Sequence, residues 1–322
     1  MSEKLFDRVA LIGIGLIGSS LARVLRRDCP ETRIVACART AETLDAVRRL
    51  DLADETTDDP AAAADGADLV VLATPLSAYR EIAMRIAPSL RPGAIVTDVG
   101  SVKEQVIRDV QPLMPEGVHF VPGHPVAGTE HSGPESGFAE LFRDRWCILT
   151  PSPETDPEAV AKVTALWEMA GMRMTKMAAD HHDKVLAVTS HLPHLIAYTI
   201  VGTATDLADD LKSEVIAFSA GGFRDFTRIA ASDPVMWRDI FLANREAVLE
   251  MLGTFNEDLS QLTRAIRRGD GDALFEHFTR TRAIRRGIVQ IGQDSPTPDF
   301  GRPHPNLPLE PLPRPYAGSD DN

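Results

Sequence analysis

Three glycines, Gly13, Gly15 and Gly18, stand in the spacing G-x-G-x-x-G, directly after an apolar run and directly before SSLARVLRR. That spacing suits a dinucleotide. The first glycine permits a tight turn, the second lets the backbone approach a pyrophosphate, and the third lets a helix pack close to the strand, while the helix N-terminus attracts the phosphates. Leu16 and Ile17, between the last two glycines, belong to the same turn. A glycine-rich turn without a ligand is the other reading, but the flanking strand and helix, and a second strand at the βαβ distance, favour the cofactor. About twenty residues on, where an NAD site carries an acid for the ribose 2′-hydroxyl, the chain has Ala38, Arg39 and Thr40. The missing acid and Arg39 lean towards NADP or dual use; Arg39 as a solvated strand-end charge stacking on adenine leaves NAD open.

In an open α/β sheet, ligands sit outside the carboxyl ends of the strands. Three strand ends carry polar candidates: Thr74 and Pro75 after DLVVLA, Ser101 and Lys103 after AIVTDVG, and His124 in PGHPVAG. An imidazole titrates near neutrality, so His124 suits a base that takes a proton from a substrate hydroxyl. Ser101 can hydrogen-bond the same hydroxyl. Lys103 reads equally as a plain lysine at a helix start. Further on, SHLPH places His191 and His194 three apart, on one helix face; zinc, a substrate contact and a polar pair at a domain interface are the alternatives. No third ligand at a familiar spacing and no HExxH accompany them, which disfavours a metal. In GGFRDFTRIAASDPVMWRD, Asp225 and Arg228 form an i,i+3 surface pair in one reading. In the other, Arg228 grips a substrate carboxylate with its bidentate fork.

These residues need elements to hold them. VALIGIG (9–15), RIVACAR (33–39), DLVVLATP (68–75), AIVTDVG (94–100), HFVPGHP (119–125) and RWCILTP (145–151) read as strands, with SSLARVLRR and AETLDAVRRL as helices between the first of them. That alternation predicts an α/β, doubly wound parallel sheet over residues 1–153. Asp51 to Asp59 and the alanines after it read as an exposed loop leading into a short helix. From residue 154 to 294 the periodicity becomes helical, with one start marked by Asp233 as N-cap and Pro234 at the first helical position. The last 28 residues, 295–322, hold eight prolines, which predicts a surface or disordered tail, a docked arm across a partner subunit being the other reading.

Composition narrows the classes further. The 322 residues are 43% apolar, enough for a core in each of two domains, and 34 Lys plus Arg against 47 Asp plus Glu give a formal charge of −13. That charge argues against nucleic acid or an anionic membrane surface as partner. Cys29, Cys37 and Cys147 are widely spaced, form no CxxC, and fit a reducing cytoplasm. Lys4 and Arg8 before VALIGIGLIG resemble a signal peptide, but the three glycines and Glu3 and Asp7 argue against one. With no long apolar run elsewhere, no membrane span is expected.

Taken together, VALIGIGLIGSSLA, TDVGSVK, PGHPVAGTEHSGP, HHDKVLAVTSHLPH and GGFRDFTRIAASDPVMWRD resemble the prephenate and arogenate dehydrogenase family of tyrosine biosynthesis, in order and spacing from about residue 5 to 292. The resemblance implies an N-terminal Rossmann domain, an all-α domain through which two chains form a homodimer, and NAD(P)+ as cofactor. It implies oxidative decarboxylation of prephenate to 4-hydroxyphenylpyruvate, or of arogenate to tyrosine, without separating the two. It also implies roles: His124 as the catalytic histidine, Ser101 as the group orienting the hydroxyl, and His194 and Arg228 as the substrate anchors. Asp225, Trp237, Gly221 and Glu130 then shape the pocket, and His182 supports it.

Two other classes remain as rivals. A β-hydroxyacid dehydrogenase shares the two-domain plan but uses a lysine on an interdomain helix, for which Lys184 is the nearby candidate. A regulator that senses NADP without catalysis needs neither Ser101, His124 nor Arg228.

Overall fold

The computed structural model describes residues 4–129, 131–206 and 221–290. They fall into two units dividing between Leu252 and Gly253. The first is built on a six-stranded parallel sheet of β1 (Arg8–Ile12), β2 (Arg33–Cys37), β3 (Glu55–Thr57), β4 (Leu69–Leu72), β5 (Ile95–Asp98) and β6 (His119–Val121), in the order β3-β2-β1-β4-β5-β6. This is the doubly wound Rossmann order, which reverses direction between β1 and β4 and opens a crevice there.

Alternation along each strand sends its side chains to two cores. Val9, Leu11, Ile34, Val71 and Val121 face one side and pack with Leu21 and Leu25 of α1 (Leu16–Asp28). Ala10, Ile12, Val35, Val70 and Val96 face the other and pack with Ala63 of α3 (Pro60–Ala64), which follows α2 (Ala41–Arg49), and with Tyr79 and Ile86 of α4 (Tyr79–Ile86). With both faces covered, every residue of β4 and β5 is buried, as apolar runs in parallel sheets require.

Three expectations change. Asp51–Asp59 is not wholly loop: Glu55–Thr57 pairs with Val35–Cys37 as the edge strand β3, and the short helix follows at Pro60 with Asp59 as its cap. HFVPGHP is not one strand. It breaks at Pro122, and β7 (Gly123–Pro125) pairs antiparallel with β8 (Trp146–Leu149) in a second sheet, where β8 also pairs with β9 (Arg173–Lys176). Proline supplies no N–H to a ladder, so the chain changes sheets there. Residues 157–176, expected with the helical half, instead join the first core: Val163, Leu166 and Trp167 of α6 (Pro157–Met169) lie in the same cluster as Val9 and Leu11. The helical stretch Ala179–Ala204 contains eighteen consecutive residues of mean hydropathy 1.4 and is long and apolar enough to cross a membrane by length and composition alone.

That stretch comprises α7 (Ala179–Leu186), a wide π turn over Ala187–His191, and α8 (Leu192–Thr205). Pro193 sits just after the wide turn. It lacks an N–H and crowds the carbonyl four residues back, and a π turn relieves both. Then come α9 (Gly221–Thr227), a tight turn Arg228–Ala231, and α10 (Pro234–Ala243), capped as expected by Asp233 accepting from Met236 N–H at 2.8 Å. α11 (Arg245–Arg268) runs from the first unit into the second, which also holds α12 (Gly271–Gln290). The proline-rich tail lies outside the described residues.

Candidate active site

The glycine turn takes the form a dinucleotide needs. Gly13 has φ +98°, and a Cβ there would lie 2.4 Å from the carbonyl oxygen of Ala73 and 2.8 Å from Thr74 N. A Cβ at Gly18 would lie 2.2 Å from the Gly13 carbonyl oxygen. Gly15, the N-cap of α1, has no side-chain cap and nothing within 4 Å of its Cβ position. The first and third glycines therefore close the packing of β1, β4 and α1, and the second leaves open space at uncapped helix N–H groups. A pyrophosphate fits such a cradle. Thr74 and Pro75 are brought to the same turn. Thr40 caps α2, accepting from Thr43 N–H at 3.2 Å, while Arg39 is exposed and has no ion-pair partner among the described residues.

His124 occupies the middle of β7, opposite Ile148, and is 6% exposed. Its Nδ1 lies 2.8 Å from Nε2 of His182, and Nδ1 of His182 lies 2.7 Å from Oδ1 of Asp183. The partners dictate the tautomers. The Asp183 carboxylate only accepts, so His182 carries its proton on Nδ1. Its Nε2 then accepts, and His124 must donate from Nδ1. Nε2 of His124 keeps its lone pair, the ring's hydrogen bond to His182 being made through Nδ1. Burial first, then His182, Lys103 and His191, hold the His124 pKa well below the usual imidazole range. Burial also lowers that of His182, against the pull of Asp183.

Asp183 is itself fixed. Its carboxylate accepts from the N–H groups of Lys103 (2.8 Å) and Glu104 (3.0 Å) at the start of α5 (Glu104–Val110). Its carbonyl accepts from Asn244 Nδ2 at 2.8 Å, and Asn244 Nδ2 also lies 3.0 Å from Nδ1 of His191. Burial pushes the His191 pKa down to about 4.

His191 and His194 share a helix face as expected, and that face meets Trp237. The His194 ring stacks on the indole with centroids 3.6 Å apart and planes at 24°, while His191 meets the indole edge-on at 6.0 Å. His194 Nδ1 donates to the Ser190 carbonyl at 2.9 Å. Burial lowers its pKa and the charge of Arg228 adds to the effect, so Arg228 lies near enough to act on this ring. Asp225 sits on the first turn from Gly221, whose Cβ position is 3.9 Å from Asp225 Oδ2.

The remaining candidates are placed as follows. Ser101 is half-buried in the turn between β5 and α5, and no hydrogen bond joins it to His124 among the described residues. Glu130 lies outside the described residues. Among the described residues no group of three or more histidine, cysteine, aspartate and glutamate side chains is arranged to hold a metal. Lys103 is no plain helix lysine: it is wholly buried. Lys184 is exposed and lines a cavity of about 510 Å3 with Glu104, Asp180, Glu246 and Glu250. Sequence reasoning missed Asp183 and Asn244. Asp183 follows His182 directly, but helical neighbours do not usually face each other, and nothing local marks Asn244 beyond its place between two helices.

Comparison with known proteins agrees with this arrangement. Residues 21–176 match the family model described as prephenate dehydrogenase, nucleotide-binding domain, and residues 178–280 match prephenate dehydrogenase, dimerization domain. The chain is 44% identical over 283 residues to a cyclohexadienyl dehydrogenase of Zymomonas mobilis, covering 88% of this chain and 96% of the relative. It is 33% identical over 283 residues to the prephenate dehydrogenase of Bacillus subtilis, covering 88% and 76%. Among solved structures, Aquifex aeolicus prephenate dehydrogenase in complex with hydroxyphenyl propionate and NAD+ superposes with a TM-score of 0.82 at 36% identity, covering 88% and 98%. The crevice beside the glycine turn, the histidine chain and both family models point one way: this chain belongs to the prephenate dehydrogenase family.

Proposed function

We propose that the chain is an NAD(P)+-dependent prephenate and/or arogenate dehydrogenase, with His124 Nε2 as the base. The observation that carries the assignment of the base is the chain Asp183–His182–His124, which leaves one imidazole nitrogen free to accept a proton. His124 takes the proton of the substrate hydroxyl, so that the oxygen's electron pair forms a carbon–oxygen double bond. With its pyrophosphate held by the Gly13–Gly18 turn, NAD(P)+ would supply the acceptor for the hydride lost by that carbon. The ring carboxylate then leaves as carbon dioxide, its bonding electrons make the ring aromatic, and the phenolate oxygen recovers the proton from His124.

Within this reading Ser101 orients the hydroxyl, and His194 and Arg228 anchor a carboxylate, backed by Trp237 and flanked by Asp225, Gly221 and Glu130. The exposed Arg39 at the end of β2, where no acid competes, favours acceptance of a 2′-phosphate, so NADP+ is used alongside NAD+. Homodimerisation runs through the helical half. In the second unit Leu259, Ile266, Phe275, Phe278 and Ile284 are all exposed, Phe275 by 73%, an apolar surface of the kind that marks an interface. The three free cysteines fit a reducing cytoplasm. Turnover of prephenate and arogenate with each cofactor, followed by reduced-nicotinamide absorbance, tests the assignment. Absence of turnover with both substrates would return the chain to a binding-only role.

A further inference from the structure

Lys103 and Asp98 form a buried pair that the scheme above leaves without a task. Both are 0% exposed. Lys103 Nζ donates to Asp98 Oδ2 at 2.5 Å and to the carbonyl of Gly123 at 2.6 Å. Asp98 accepts from the N–H groups of Gly100 (2.7 Å) and Gly123 (3.1 Å). Both polar groups of Gly123, the residue immediately before His124, are therefore tied to this pair. The backbone N–H of Lys103 meanwhile donates to Asp183 Oδ1 at 2.8 Å, at the far end of the histidine chain.

A buried ion pair is a poor source of stability, because apolar replacement of both members is often neutral whereas loss of one is costly. The geometry points to another use, which rests on His124 being the base. We propose that Lys103, held by Asp98, is a positioning residue for His124: its side chain fixes the peptide that carries the imidazole, and its backbone fixes the carboxylate that sets the imidazole's tautomer. Its charge adds a second effect. Besides burial, the charged groups that act on His124 are His182, Lys103 and His191, in that order, all holding its pKa down. Asp98 is bonded to the preceding residue Gly123, Asp183 to His182, and Cys147 of β8 pairs with Pro125.

The double variant Asp98→Asn/Lys103→Met removes both charges together, and Lys103→Gln keeps a neutral donor for Asp98 and Gly123. With folding checked by circular dichroism, each is expected to lose turnover by roughly 10- to 100-fold with little change in substrate KM. In Lys103→Gln the acidic limb of kcat/KM is expected to move up by about 1 pH unit. A merely structural lysine would alter thermal stability and leave that limb in place. Near-normal kcat with an unmoved limb in either folded variant overturns the proposal. In the unmodified enzyme, ring-nitrogen NMR is expected to find neutral His124 protonated on Nδ1, and the opposite tautomer also overturns it. His124→Asn serves as the control: if that variant stays active, the assignment of the base fails; if it is inactive while the Lys103 variants are normal, only the role of Lys103 fails.

Discussion

Nδ1 of His124 and Nε2 of His182 stand 2.8 Å apart, and the proton between them belongs to His124 because Asp183 claims the other proton of the pair. His182→Phe removes the acceptor and releases the tautomer. It should lower kcat by roughly 10- to 100-fold while leaving substrate KM nearly unchanged. His182→Gln, whose amide oxygen can accept from His124, should recover part of the loss in the same steady-state assay.

The pH profile follows from burial. A base works unprotonated, and His124 is held well below the usual imidazole range, so the acidic limb of kcat/KM should lie below about 6.5, the ordinary histidine value. Stability has its own window. His191 titrates at about 4 when folded and at about 6.5 when unfolded. The unfolded chain therefore binds more protons between those values. The stabilisation is fully present above about 6.5 and is lost as pH falls towards 4, by roughly 2–4 kcal/mol. Urea unfolding at either end of the window measures it, and His191→Asn should reduce the difference, His124 and His182, both also lowered by burial, leaving a remainder.

The glycine turn predicts a contrast. Gly15→Ala meets nothing within 4 Å in the folded chain, so its melting temperature should stay near that of the parent while the cofactor KM rises, because the methyl group occupies the approach to the pyrophosphate. Gly13→Ala must place its methyl 2.4 Å from a backbone oxygen at φ +98°, and it should lose thermal stability as well. Equal melting temperatures for the two variants would contradict the division of labour drawn for the turn.

His194 donates from Nδ1 to the Ser190 carbonyl and, while neutral, presents a bare Nε2. A bare nitrogen does not bind a carboxylate, so anchoring an anionic substrate requires His194 to take up a proton as it binds. Calorimetry of a carboxylate-bearing analogue in buffers of different ionisation enthalpy should show that uptake, and His194→Asn should abolish it. Arg228→Ala should raise substrate KM with kcat little changed; an unchanged KM would return Arg228 to a surface role.

Local signals in the sequence found what local physics controls. The glycine spacing located the tight turn between β1 and α1, and Asp233-Pro234 located the start of α10, because steric freedom and capping act within a few residues. What escaped is non-local. Lys103 looks like any helix-start lysine until the fold brings Asp98 and Gly123 to its ammonium, and the bond from Lys103 N–H to Asp183 spans 80 positions. β3 and β7 have three residues each, too short for alternation to show. His124 lies within β7, a strand of a separate sheet, where the end of a main-sheet strand was expected.

The central claim is that His124 Nε2 takes the hydroxyl proton, and His124→Asn tests it most directly. With fold and cofactor binding confirmed, kcat measured with prephenate should fall roughly 10²–10⁴-fold while substrate KM changes little. Near-normal turnover in that variant would contradict the account and move the base elsewhere in the crevice.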